Sequence, residues 1–321
     1  KLTRAGKLYR RHRHSKCLKI TEELMKVARK KGEIWCRAQG LTAMATARKR
    51  EETLSMPHFD SFVKNCGSHL TPDVLYRGVD AARKAGRHGN VEKWTRMLVT
   101  KFPESSLCDD ALVLAARMHF VKGEGKKLGR AVDLVFSDFP KGDMAPDAAW
   151  FPVFHHILEG EYAEAFKLAE KYRALLPERQ NYRTNGRLLY WAGRSRHLQG
   201  KKKEALKYYT EVLQKYPLSW YALMSYLRLE ERKKGLGDKT LAAAVSASAP
   251  ILPALDEVVA SAADSGRDLT PALHLLSLEL LDEAREELEA VLREPAHDGD
   301  PAGLLLSAFL YDRAKAYSPS H

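Results

Sequence analysis

Carboxylates, histidines, cysteines and aromatics are the residues of this chain whose chemistry could matter. Glycan cleavage needs two carboxylates held across a bond. The acids here alternate with bases along stretches such as DEAREELEAVLRE (282–294), which read as solvated helix faces supported by i,i+4 pairs. The one Glu-Ser pair, Glu104-Ser105, follows a proline, and the serine reads as a helix cap. His155 and His156 are adjacent, so on a helix their side chains diverge and share a metal poorly. His12 and His14, two apart, are no better placed. The chain has no glycine-rich phosphate loop, no metal-ligand spacing and no nucleophile elbow, and no cofactor is expected. Cys17, Cys36, Cys66 and Cys108 include no CxxC pair. They read as small apolar residues buried in helices. In an oxidising compartment a bridge such as Cys17–Cys36 is an alternative, since spacing does not fix connectivity.

The richest chemical feature is aromatic: Tyr190, Trp191, Tyr208, Tyr209, Tyr216, Trp220, Tyr221 and Tyr226. Trp and Tyr combine large buried area with one polar tip, so packing between helices is the plain reading. The functional reading is a docking or sugar-stacking surface on the concave side of the fold. In it Trp220, Tyr221 and Arg228 come first, with Trp191 and Arg194 beside them, and the arginines bond carboxylates.

These residues sit on a repeated helical frame. From Arg187 to Leu229 the sequence reads helix, turn, helix, stop, helix. Apolar residues recur at helical spacing, Gly200 ends the first helix and Pro217 stops the second. The same ruler fits three earlier units: Gly86–Pro103, Gly123–Pro140, Gly160–Pro177 and Gly200–Pro217 each span 17 positions. The closing words TKFP, SDFP, ALLP and QKYP match, and the glycines step by 37, 37 and 40 residues. Such periods belong to helical-hairpin repeats, whose apolar faces only a neighbour can cover. The fold expected is all-α: a right-handed α-solenoid or superhelix of tetratricopeptide-like hairpins, curved or ring-shaped. Residues 1–70 read as a basic helical cap, 71–229 as the repeat superhelix and 230–321 as further hairpins with a looser period. Within the cap, one helix is expected from Leu8 to Lys31, a second from Ile34 to Arg48, and a short one around Phe59–Cys66. Helices are also expected at Leu255–Ala263 and after Asp300-Pro301.

The net charge of +12 is concentrated at the start. Residues 1–50 hold 16 Lys and Arg against 3 Glu, and the remainder is nearly neutral. A basic end of this kind can meet polyanions or can be a solvated terminal helix. Only Tyr9 accompanies the charges between Lys1 and Arg13, so nucleic acid is not expected as a partner. No apolar run approaches the roughly 20 residues of a membrane span.

The words LLYWAGRSRHLQG, EALKYYTEVLQKYP and PLSWYALMSYLRL resemble the superhelical region of the soluble lytic transglycosylases. Pro217, Trp220, Tyr221 and the pair Arg228-Leu229 carry the sharpest part, and the likeness extends over roughly residues 181–317. The resemblance implies a periplasmic, non-catalytic scaffold that positions peptidoglycan glycan strands or stem peptides. It also implies a catalytic domain, supplied in cis or in trans, whose glutamate lies in a Glu-Ser-x-Phe context that this sequence lacks. The alternative is a tetratricopeptide-like adaptor that binds a partner protein in its concave groove.

Overall fold

The computed structural model describes residues 1–140, 142–177, 183–248 and 268–291. The expected helices at Leu255–Ala263 and after Asp300 lie outside them. Contacts divide the chain into one unit of Lys1–Val245 and another of Ser246–His321. The described residues are helical, with no strand among them.

The first unit begins with α1 (Leu2–Arg10), α2 (His14–Val27), α3 (Glu33–Arg48) and α4 (Glu52–Asn65). Four hairpins follow: α5 (Pro72–Lys84) with α6 (His88–Lys101), α7 (Leu107–Val121) with α8 (Gly125–Asp138), α9 (Ala145–Leu158) with α10 (Tyr162–Leu175), and α11 (Arg187–Leu198) with α12 (Lys202–Lys215). Then come α13 (Trp220–Arg232) and α14 (Leu236–Ser248), which runs across the division. The second unit has α15 (Thr270–Ser277) packed on α16 (Leu281–Val291), with Ala272, Ala284 and Leu288 buried.

The turn glycines work as the spacing requires. Gly86, Gly123, Gly160 and Gly200 all have φ between +68° and +79°, a region in which only glycine is unstrained. After each, the next amide reaches back to a carbonyl five residues earlier: Arg87 to Ala82 (2.7 Å), Glu124 to His119 (2.9 Å), Glu161 to His156 (2.8 Å) and Lys201 to Arg196 (2.9 Å). This is one helix-ending motif used four times. Thr71 caps α5, its hydroxyl accepting from the Val74 amide, and Pro72 occupies the first turn. Around Glu104-Ser105, the Ser105 hydroxyl accepts from the Leu107 amide at the start of α7.

The layering follows from which helices touch. Each odd-numbered helix packs on the next odd one: α1 on α3, α3 on α5, α5 on α7, α7 on α9, α9 on α11 and α11 on α13. The even-numbered helices fill between their sequence neighbours. The result is an α-solenoid of helical hairpins with an odd-helix face and an even-helix face.

Three expectations need correction. The single helix expected from Leu8 to Lys31 is two, because His12 takes φ +56° and the Arg13 amide closes on Leu8 O at 2.9 Å. Folding back lets Ala5 and Leu8 pack with Cys17 and Ala45; one straight helix would leave that face bare. The short helix expected at Phe59–Cys66 is the end of α4, which runs through Pro57. An internal proline costs about 3 kcal/mol, which burial of Met56, Phe59 and Phe62 offsets. The disulfide joins Cys36 to Cys66, and Cys17 and Cys108 are free and buried. Cys17 packs near Ala45, nine residues along α3 from Cys36. At 100° per residue those two positions lie on opposite sides of α3, so a Cys17–Cys36 bridge is out of reach.

Candidate partner-binding face

On each odd-numbered helix of the four hairpins, one stripe escapes burial between neighbours. Counted by the repeat step, its positions form columns across the stack. Asp73, Asp110, Asp147 and Arg187 make the first column. Asp80, Arg117, Phe154 and Arg194 make another, and Lys84, Val121, Leu158 and Leu198 lie at the helix ends. In that last column Val121, Leu158 and Leu198 are exposed by 76%, 62% and 37%. Large apolar side chains are thus left in water at three successive repeat positions, which makes this face the candidate.

Aromatic rings connect the helices along this face. Phe120 of α7 lies 6.0 Å from Trp150 and 6.1 Å from Phe154 of α9. Trp150 and Phe154, four apart on α9, stack at 4.9 Å. Phe154 meets Trp191 of α11 edge-on at 5.0 Å, and Tyr190 beside it meets Tyr221 of α13 at 5.7 Å. The ladder therefore crosses four odd-numbered helices; Phe120, Trp150, Phe154, Trp191 and Tyr221 are half-buried, and the buried Tyr190 joins the last two from the core side.

Arginines accompany the rings. Arg187 bonds Asp147 at 2.9 Å across the α9–α11 joint and lies 5.9 Å from the Trp150 ring centre, a cation–π distance. Arg228 is held by both carboxylate oxygens of Glu231, at 2.7 and 2.8 Å. Among the described residues Arg194 has no carboxylate partner; its guanidinium approaches His197 Nδ1 at 3.5 Å. Burial lowers the His197 pKa, and the cations Arg194 and Arg228 lower it further. Burial pushes the Tyr209 hydroxyl up to about 12. Arg194 and the exposed Arg117, one column position apart from Phe154 on either side, are the arginines of this face without a carboxylate partner among the described residues.

The five residues singled out from the sequence do not form one cluster. Trp191, Arg194, Tyr221 and Arg228 line the odd-helix face from α11 to α13. Trp220 does not join them: it is 62% exposed, on the side of α13 that also carries the exposed Leu223 and Leu227. Its neighbour Tyr221 points 100° away around the helix, onto Tyr190. Phe120, Trp150, Phe154 and Arg187 were missed. The i,i+4 pair Trp150–Phe154, and the match of Phe154 to Arg194 by the repeat step of 40, are the signals that find them.

A separate polar cluster lies between α6, α7 and α8. Glu92, the buried His119 and Glu124 bring ligand atoms within 4.8 Å of one another. His119 Nδ1 is bonded to Glu124 at 2.7 Å, Lys127 lies 3.0 Å from Glu92, and Lys122 lies 2.8 Å from Glu124. Hydrogen bonds from Lys122 and His119 hold the Glu124 pKa down to about 2. A cation here would displace two ammonium groups, so the set is a closed ion-pair network and does not suit a metal.

No protein-family model and no curated protein sequence matches the chain. Among solved structures it is similar to the C-terminal part of a TPR repeat-containing protein from Cytophaga hutchinsonii, with a TM-score of 0.54 and 12% identity, over 80% of this chain and 98% of that one. MamA protein aligns over 55% of this chain and 91% of its own, with a TM-score of 0.41 and 16% identity. The first likeness places the fold among helical repeats of tetratricopeptide type.

Proposed function

We propose that this chain is a repeat adaptor that holds a segment of a partner protein along its odd-helix face. The observation that carries the reading is the ring ladder from Phe120 to Tyr221, flanked by the exposed Val121, Leu158 and Leu198. Stacked hairpins repeat their side chains at intervals of about 8–10 Å. The face therefore suits an elongated ligand that meets several helices, each contact weak and the sum selective. Arg194 favours a carboxylate on that ligand opposite α11. The segment expected is apolar or aromatic with at least one acid.

The test is a displayed peptide library selected on the full chain, with hits measured by fluorescence anisotropy. Peptides of the stated character should bind at micromolar level and lose at least tenfold with Arg194→Glu and with Leu158→Lys. Both changes lie on exposed or half-exposed positions and should leave the helix content unaltered. Hits that bind both variants as well as the parent would refute the face.

The second reading is the peptidoglycan scaffold. It rests on the family-like words around Pro217–Leu229 and on the Cys36–Cys66 bridge, which suits an oxidising compartment such as the periplasm. Glycan strands could stack on the same rings, and stem-peptide carboxylates could meet the arginines, with a catalytic domain acting from the same or another chain. Sedimentation with purified sacculi separates the two readings. Pelleting at low salt that the Arg194→Glu variant loses supports the wall, and an unchanged supernatant removes it.

A further inference from the structure

The even-helix face carries a groove that the adaptor reading does not use. It lies between α6 and α8 with α7 as its floor, and has a volume of about 480 Å3, within the range of small-ligand sites. Its walls are apolar: Val99, Leu112, Ala115, Ala131 and Leu134. The Glu92–Lys127 ion pair, backed by His119, closes one end.

Two features of the groove lack partners. Thr95 is 5% exposed, and its hydroxyl is buried with no hydrogen-bond partner. Thr42, Thr46 and Thr100 bond to the carbonyl four residues earlier, at 2.9, 2.8 and 2.8 Å; of the buried helical hydroxyls only Thr95 and Ser225, among the described residues, go without, and Ser225 lines no such groove. A buried unpaired hydroxyl costs about 1–3 kcal/mol, and an acceptor in the groove would relieve it. The second feature is charge. Arg96 on α6 and Arg130 on α8 line the groove from opposite sides, and neither has a carboxylate partner among the described residues. Of the charged lining residues, Glu92 is matched by Lys127, and Asp138 lies a full turn beyond Leu134 with the Ser137 hydroxyl bonded to it at 2.6 Å.

We propose that this groove binds a carboxylate with an apolar body. The body lies on Ala115, Leu112 and Leu134, the carboxylate meets the guanidinium of Arg96 or Arg130, and a carboxylate oxygen accepts from the Thr95 hydroxyl. Guanidinium favours carboxylate because the two planar groups match in a pair of parallel hydrogen bonds. A free acyl chain and the apolar C-terminal residue of a peptide share this chemistry.

The test uses the full chain with decanoate, followed by the methyl spectrum of Val and Leu side chains and by calorimetry. Saturable binding is expected, with shifts centred on Val99, Leu112 and Leu134. Decanol should bind at least tenfold more weakly than decanoate. Arg96→Gln with Arg130→Gln, both exposed and without folding risk, should weaken decanoate at least tenfold. Thr95→Val should weaken it several-fold while leaving the melting temperature unchanged or higher. A short peptide ending in leucine that binds more tightly than decanoate, and fails when amidated, keeps the chemistry and assigns it to a chain end. Decanol binding as well as decanoate, an unaffected double variant, shifts centred on other helices, or no saturation below the micelle concentration would each overturn the proposal.

Discussion

Reducing the Cys36–Cys66 bridge should weaken the first four helices selectively. The bridge joins α3 to the end of α4 and closes a loop with a sequence separation of 30. The chain-entropy relation gives about 3.6 kcal/mol for a loop of that length, inside the usual 2–4. In a stack of nearest-neighbour contacts this loss stays near the bridge. With a urea dependence of about 2 kcal/mol/M for the block that opens first, its midpoint should fall by about 1.8 M, while later transitions move little. Both sulfurs are buried, so reduction must be done in denaturant and the protein refolded with reductant present. Hydrogen exchange then locates the change, which should appear in residues 33–65 and fade beyond α6. Thiol counting is the control: two reactive thiols, Cys17 and Cys108, in the unfolded unreduced chain, and four after reduction. Four thiols without reductant would remove the bridge. Equal midpoints for the two forms would refute the loop argument even if the bridge is there.

Three further outcomes are expected. His58, His14 and His197 all have pKa values lowered, burial first among the causes. A lowered folded value means that the unfolded chain binds protons first, so their stabilisation is full above about pH 6.5 and is lost as pH falls through the folded values. The melting temperature should therefore drop from pH 7 to pH 5, and His58→Gln, which keeps a partner for the Gln39 amide, should flatten that slope. Gly78→Ala places a methyl 3.0 Å from the Trp94 ring and 3.2 Å from Phe59; overpacking of this kind costs about 1–3 kcal/mol, visible as earlier melting with quenched or shifted Trp94 emission. Replacing Val121, Leu158 and Leu198 together by lysine should leave far-UV circular dichroism and melting unchanged, because all three are exposed, yet abolish capture of any peptide selected on the odd-helix face.

The hairpin frame was legible because it rests on backbone chemistry that particular residues dictate. A glycine that must take positive φ and a proline that must stop a helix recur at one interval, and Gly86, Gly123, Gly160 and Gly200 obey it. The end of α1 was not legible. No glycine or proline marks it, and His12 adopts a left-handed conformation only because the helix behind it folds onto Cys17 and Ala45. The disulfide partner was hidden for the same reason. Cys36 faces Cys66 only once α4 is known to run through Pro57, and that depends on burial of Phe59 and Phe62 rather than on any local preference. The candidate face was half legible. Density of aromatics pointed to residues 190–226, but density ignores helical phase, so it joined Trp220 to Tyr221 across a 100° turn. It also missed Trp150 and Phe154, which stand in the run Trp150-Phe151-Pro152-Val153-Phe154 outside that window.

Those misses show where information resides in a fold of this kind. In a globular enzyme, residues distant in sequence converge on one pocket, and a motif can mark the spot. In a solenoid the neighbours of a surface side chain are its equivalents one repeat away, so the unit of function is a column. Asp80, Arg117, Phe154 and Arg194 say little one at a time. Taken in order they run acidic, basic, aromatic, basic along the stack. An elongated ligand with a matching order of side chains could bind in one direction and not in the other. Exchanging Asp80 and Arg194, as Asp80→Arg with Arg194→Asp, keeps composition and net charge. Asp80 also bonds Arg83 and Lys84, at 2.9 and 2.8 Å, so Asp80→Asn serves as the control for that local loss. If columns carry the recognition, the exchanged chain should lose peptides selected on the parent by at least tenfold and the control should not. Equal affinity for parent and exchanged chains would mean that the rings alone hold the ligand and that charge order has no part in it.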